Sequence, residues 1–145
     1  MLISPNAAID HRVLIVDDEA AVLDAARDYL GAYGFRVDTA QELEEAEALL
    51  STTQFQLVIA DVRLTGMQGR EGLELLRFIR QHCPSARVIV MTAHSSHDLE
   101  REARRRGAHA FLEKPLPLSD LLFEAHRLLM GVEEDEDTPV GGVSA

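Results

Sequence analysis

The sequence predicts an α/β fold of (βα)5 type, a doubly wound three-layer sandwich around a parallel five-stranded sheet. Three observations carry this reading. Five short apolar runs are rich in β-branched residues, the stretches between them show helical periodicity, and the two patterns alternate strictly. Parallel strands need a crossover, and a helix supplies it with a right-handed sense.

The first run is VLIV at 13–16, and the helix after it carries Val22, Ala26, Tyr29 and Tyr33 at helical spacing, with Gly31 and Gly34 as its stop. FRVDTA at 35–40 is the second strand, followed by a helix marked by Leu43, Ala46 and Leu50. QLVIA at 56–60 is the third, and Leu73, Leu76 and Ile79–Arg80 outline its helix, with Pro84 just beyond. RVIVM at 87–91 is the fourth. The segment from Ser95 to Arg106 is the weakest amphipath: only Leu99 and Ala103 mark a buried side before Gly107. AHAFL at 108–112 is the fifth strand, and Leu121, Leu122, Ala125, Leu128 and Leu129 define a last helix that ends at Gly131. Pro117, Ser119 and Asp120 suit its first turn, where a missing N–H is harmless and negative charge meets the positive end of the helix dipole.

Composition sets the bounds. With 145 residues and 46% hydrophobic content, one domain is expected, at 12–131, between an N-terminal extension at 1–11 and an acidic, Gly-containing tail or truncated linker at 132–145. A single cysteine, Cys83, excludes a disulfide framework and fits a reducing compartment. The net charge of −11 argues against holding nucleic acid by the overall field, since phosphate neutralisation needs clustered Lys and Arg. Glu133, Glu134, Asp135, Glu136 and Asp137 supply five of those charges with no base among them. The start, MLISPNAAIDHR, lacks a signal-peptide pattern, and no run of about 18 apolar residues occurs. The expectation is a cytoplasmic protein without membrane insertion and without direct DNA binding.

The chemistry lies where polar residues interrupt the apolar runs. Asp17 and Asp18 follow the first strand, Asp61 the third and Thr92 the fourth, while Lys114 lies two residues past the fifth. Ligands of open α/β sheets bind outside the carboxyl ends of the strands, where strand order reverses. In a sheet of order 2-1-3-4-5, strands 1 and 3 are neighbours at that reversal, so the three aspartates meet. Clustered carboxylates repel unless a cation neutralises them, and an oxygen-only set suits Mg²⁺, with Mn²⁺ as an alternative. Three aspartates, one such ion and Lys114 sum to zero charge. A phosphoryl group is then the natural visitor, its oxygens shared among metal, ammonium, hydroxyl and backbone N–H.

VLIVDDE, VIADVRL, VIVMTA and FLEKP, in this order and each closing a strand, resemble the receiver domain of two-component response regulators, a chemotaxis-regulator-like, flavodoxin-like phosphoacceptor domain. The resemblance spans about residues 12–131. It implies that Asp61 accepts a phosphoryl group from a phosphohistidine of a sensor histidine kinase or phosphotransfer protein. By the same resemblance Asp17, Asp18, Asp61 and the backbone carbonyl of Arg63 hold the metal, and Thr92, Ala93 and Lys114 bind the phosphoryl group. Thr92 and Phe111 form the switch, and the Lys114–Pro115 bond is cis. Arg63 and His94, each two positions beyond a site residue, flank the mouth and tune the lifetime of the acyl phosphate. Output then passes to a downstream protein through the face of helix 4, strand 5 and helix 5, or through a homodimer.

Other readings compete. Taken singly, Asp17–Asp18 serve as a helix cap, Asp61 and Lys114–Pro115 as turns, and Phe111 as core. Arg104, Arg105 and Arg106 answer a helix dipole, and the histidines show no closed zinc spacing. A Mg²⁺-dependent aspartyl-phosphate phosphatase wants Asp-x-Asp after strand 1, yet Asp17 is followed at +2 by Glu19. A nucleotide site wants glycines that VDDEAAVL lacks. A phosphorylation-independent docking receiver would not need the full set of five polar residues. One departure from the family stands out: RLTGMQGREGLELL has Thr65 where the family has proline, and a Gly-Arg-Glu-Gly stretch that lengthens the loop.

Overall fold

In the computed structural model, which describes residues 11–62 and 70–131, strands and helices alternate from β1 to α5. The strands are β1 (Arg12–Val16), β2 (Arg36–Ala40), β3 (Leu57–Ala60), β4 (Arg87–Thr92) and β5 (Ala110–Glu113). The helices are α1 (Ala20–Ala32), α2 (Leu43–Thr52), α3 (Arg70–His82), α4 (His97–Arg105) and α5 (Leu118–Met130). All strand pairs are parallel, in the order β2-β1-β3-β4-β5. The expected topology is therefore the observed one.

Side chains alternate across a strand, so each run feeds two cores. Leu14, Val16, Val58, Ala60, Val88 and Val90 face one side, where Ala46 and Leu50 of α2, Leu75, Leu76 and Ile79 of α3 and Ala103 of α4 cover them. Val13, Ile15, Leu57, Ile59, Ile89 and Met91 face the other, under Leu23, Ala26 and Leu30 of α1 and Leu121 and Ala125 of α5. Burial on both faces makes β1, β3 and β4 continuous apolar runs. The edge strand β2 is only half buried.

Several local expectations need correction. The buried stripe of α1 is Leu23, Ala26 and Leu30, with Val22 and Tyr29 packed beside it, while Tyr33 lies beyond the helix and is half exposed. A shift of one residue turns a helix by about 100°, and this helix is apolar over a wide arc. Gly31 sits inside α1 rather than ending it, and the reversal belongs to Gly34 at φ 98°, a backbone angle that side chains disfavour. Arg80 does not share the buried face of Ile79. Thr92 is the last residue of β4 rather than the first after it, and Lys114 directly follows β5. Pro117 is the N-cap of α5, one position before the helix. The segment read as the weakest amphipath is α4, and that reading needs correction: it is poor in apolar residues but sharply two-sided, with Ala103 buried and its charged residues turned outward. Ser96 begins it, its hydroxyl accepting the Leu99 N–H at 3.0 Å.

Among the described residues no helix is long and apolar enough to cross a membrane. Arg63, Thr65 and the rest of the departing loop before α3 lie outside the described residues, as do 1–10 and 132–145.

Candidate functional site

Register brings the polar residues to one end of the sheet. Val16 pairs with Ala40 and with Ala60, so the next residues of β1 and β3 emerge side by side. Backbone bonds extend the ladder one step beyond the strands: the Asp17 N–H donates to the Ala40 carbonyl at 3.1 Å, and the Asp61 N–H to that of Val16 at 2.9 Å. Asp17 is fully buried and Asp61 nearly so, while Asp18 is half-buried. Oxygens of all three carboxylates lie within 4.8 Å of one another.

Lys114 arrives from β5. Its N–H donates to the Thr92 carbonyl at 2.8 Å, and the Lys114–Pro115 bond is cis. The Nζ then donates to Asp17 Oδ2 at 2.5 Å and to Asp61 Oδ2 at 3.0 Å. Burial is the largest influence on Asp17 and lifts its pKa above the ordinary aspartate value, against the pull of Lys114 and of the Glu19 N–H. Burial opposes the Lys114 charge too, but its bonds to Asp17 and Asp61 outweigh that and hold the ammonium above its usual pKa. Two buried carboxylates thus share the Lys114 ammonium.

Thr92 is fully buried, and its Oγ1 accepts the His94 N–H at 3.2 Å. Ala93 and His94 are exposed at the rim. Phe111 is half-buried and packs against the core under α2, α3 and α4. It pairs with Val90, while Thr92 pairs with Glu113, so Phe111 and Thr92 are diagonal neighbours on one face of the sheet. The structure thus brings Asp17, Asp18, Asp61 and Lys114 together, with Thr92, Ala93 and His94 closing the adjacent strand. The predicted carbonyl ligand Arg63 lies outside the described residues.

Two contributors escaped the sequence reading. Glu19 donates its N–H to Asp17 Oδ1 at 2.9 Å, and its carboxylate stands 3.9 Å from Lys114 Nζ. The acidic run DDE was its only signal. Gly72 packs against the backbone of Val62, the residue after Asp61. Its place in the Gly-Arg-Glu-Gly stretch had marked only a longer loop, whereas Arg70, Glu71 and Gly72 belong to α3.

Do these residues fit a divalent ion? A hard cation wants oxygen donors at a shared point, and the carboxylates present only oxygen, at compatible separation. The donor set fits.

A family model described as the response regulator receiver domain matches residues 13–126. Over 119 residues the chain is 39% identical to the alginate biosynthesis transcriptional regulatory protein AlgB of Pseudomonas aeruginosa, covering 81% of this chain and 26% of that protein. A CheY-like receiver domain protein from Methanospirillum hungatei JF-1 superposes with a TM-score of 0.78 at 31% identity, covering 83% of this chain and 94% of that one. A Burkholderia pseudomallei response regulator, solved with a phosphorylated aspartic acid, calcium ion and citrate, gives 0.74 at 26% identity, covering 90% and 76%. The chain spans about a quarter of the length of the curated relatives it matches.

Proposed function

This chain belongs to the response regulator receiver domain family, and on that premise we propose that Asp61 is its phosphoacceptor in two-component signalling. The observation that carries the reading is the bridge from Lys114 Nζ to both Asp17 and Asp61, at the end of the sheet where a ligand would enter.

In the proposed reaction an Asp61 carboxylate oxygen attacks the phosphorus of a phosphohistidine on a sensor histidine kinase or phosphotransfer protein. The P–O bond forms as the P–N bond breaks, and the imidazole leaves with a proton from solvent. Lys114, already aimed at Asp61, pairs with a phosphoryl oxygen, and the Thr92 hydroxyl and Ala93 N–H take another. Asp17, Asp18, Asp61 and the Arg63 carbonyl would hold Mg²⁺ or Mn²⁺, which supplies charge neutralisation for the incoming anion.

Movement of the Thr92 hydroxyl toward the phosphoryl group frees space on the face it shares with Phe111, whose ring turns inward. A downstream protein or a second copy then reads the α4–β5–α5 face. Water attack on phosphorus regenerates Asp61, and Arg63 and His94 at the mouth tune that lifetime. The single cysteine supports action in the cytoplasm, and the family match over residues 13–126 supports 12–131 as the receiver unit. The expectation of no direct DNA binding applies to these 145 residues and to nothing longer, because AlgB is a transcriptional regulatory protein of which this chain covers 26%.

Incubation with Mg²⁺ and a small acyl phosphate donor tests the proposal. One hydroxylamine-sensitive phosphoryl group per chain is expected, absent in Asp61→Asn and on chelation. Equal labelling of Asp61→Asn overturns it.

A further inference from the structure

The end of the sheet opposite the phosphoacceptor site is basic. Three strands begin with arginine, at Arg12, Arg36 and Arg87, and His109 precedes β5. Backbone bonds string them into one rim: the Arg36 N–H donates to the His11 carbonyl at 3.1 Å, Gln56 to Arg12 at 2.9 Å and Arg87 to Gln56 at 2.9 Å. α3 adds Arg80, whose side chain runs across Gly107, and Arg80, Gly107 and His109 border a pocket of about 220 Å³.

This charge is largely uncompensated among the described residues. Among the described residues Arg36, Arg80 and Arg87 make no ion pair, whereas Arg104, Arg105 and Arg106 are held by Glu100 and Glu102. Arg12 meets Asp38 only at 3.4 Å. A positive rim is unexpected on a chain of net charge −11.

α5 delivers the chain to this rim. The His126 ring lies 5.6 Å from that of Phe35, beside Arg36, and Phe35 lies 6.4 Å from His11. Gly131 then leaves the helix in a left-handed conformation, and Glu133–Asp137 follow within six residues. Six extended residues reach about 20 Å, and five strands at ~4.8 Å spacing span about the same distance. The acidic run is therefore long enough to cross the rim from Arg36 toward Arg87.

We propose that this basic rim is a docking surface for the chain's own acidic segment Glu133–Asp137, seated at the end of the sheet away from Asp61. Opposite charge, reach and the exit point of α5 favour this occupant over an acidic stretch from another molecule. The attraction is electrostatic and partly solvent-exposed, so salt weakens it.

Backbone amide NMR of the full chain tests this, against a variant carrying Glu133→Gln, Glu134→Gln, Asp135→Asn, Glu136→Gln and Asp137→Asn. At low ionic strength the two spectra are expected to differ at Arg36, Arg87 and His109, independently of protein concentration. Those differences should fade with added salt. In the reciprocal arm, Arg36→Gln with Arg87→Gln is expected to shift the amides of 133–137. Differences confined to 131–139, or dependent on protein concentration as docking onto a second copy would be, overturn the proposal. So does an unchanged acidic segment in the reciprocal arm.

Discussion

Gly72 of α3 lies against the backbone of Val62 with no room for a side chain: a Cβ there would stand 2.2 Å from both the Val62 Cα and its carbonyl oxygen. Neither neighbour is a flexible side-chain end, so relief requires moving α3 or the chain beside Asp61. Gly72→Ala is expected to cost at least the ~1–3 kcal/mol of an overpacked core and to slow phosphorylation with it. Gly31, with open space around it in α1, gives the opposite sign: Gly31→Ala is expected to stabilise by about 0.5–1 kcal/mol. Chemical denaturation of both variants checks the pair.

Lys114 competes with any cation for Asp17 and Asp61. Its removal is expected to trade a loss in phosphoryl transfer for a gain in metal binding. Lys114→Gln is expected to bind Mg²⁺ about fivefold more tightly, the ~1 kcal/mol that one charge at ~4 Å is worth in high dielectric. Isothermal titration calorimetry measures this, since the chain has no tryptophan to report it. Weaker Mg²⁺ binding by Lys114→Gln would contradict the geometry.

His109 gives stability a pH dependence. Its Nδ1 accepts the Val88 N–H at 3.0 Å, which requires the neutral ring. Burial first, then the charges of Arg87 and Arg80, hold its pKa below 6.5. The folded state therefore binds fewer protons than the unfolded chain in the window just below 6.5. The stabilisation is complete above that value and is lost as pH falls through the lowered pKa. Thermal unfolding from about pH 8 to about pH 5.5 is expected to show a fall in Tm that is smaller in His109→Gln.

In the proposed switch, Thr92 links the phosphoryl group to the output face. Thr92→Val keeps the shape but removes the acceptor of the His94 N–H. It is expected to accept phosphate slowly and, once phosphorylated, to leave the Phe111 ring resonances where they were, whereas Thr92→Ser shifts them. Aromatic NMR of the two phosphorylated variants separates these outcomes.

The sheet was legible because β-branched runs buried on both faces are local in sequence, and so were the polar residues that end them. Asp17, Asp61, Thr92 and Lys114 could be read as strand-end residues before any contact was known. The stripe of α1 was misread because Val22 and Leu23 are both apolar and periodicity alone does not choose between them. The Gly72–Val62 contact joins a helix to a strand end across the departing loop, so neither residue announces it. The basic rim is invisible in sequence order, since Arg12, Arg36 and Arg87 align only after strand register is set.

The central claim is chemical: among three neighbouring carboxylates, Asp61 alone takes the phosphoryl group. Borohydride reduction of the phosphorylated chain, followed by peptide mass mapping, converts an aspartyl phosphate to homoserine and marks its position. Homoserine at residue 61 alone is the predicted result, and homoserine at 17 or 18 would contradict it.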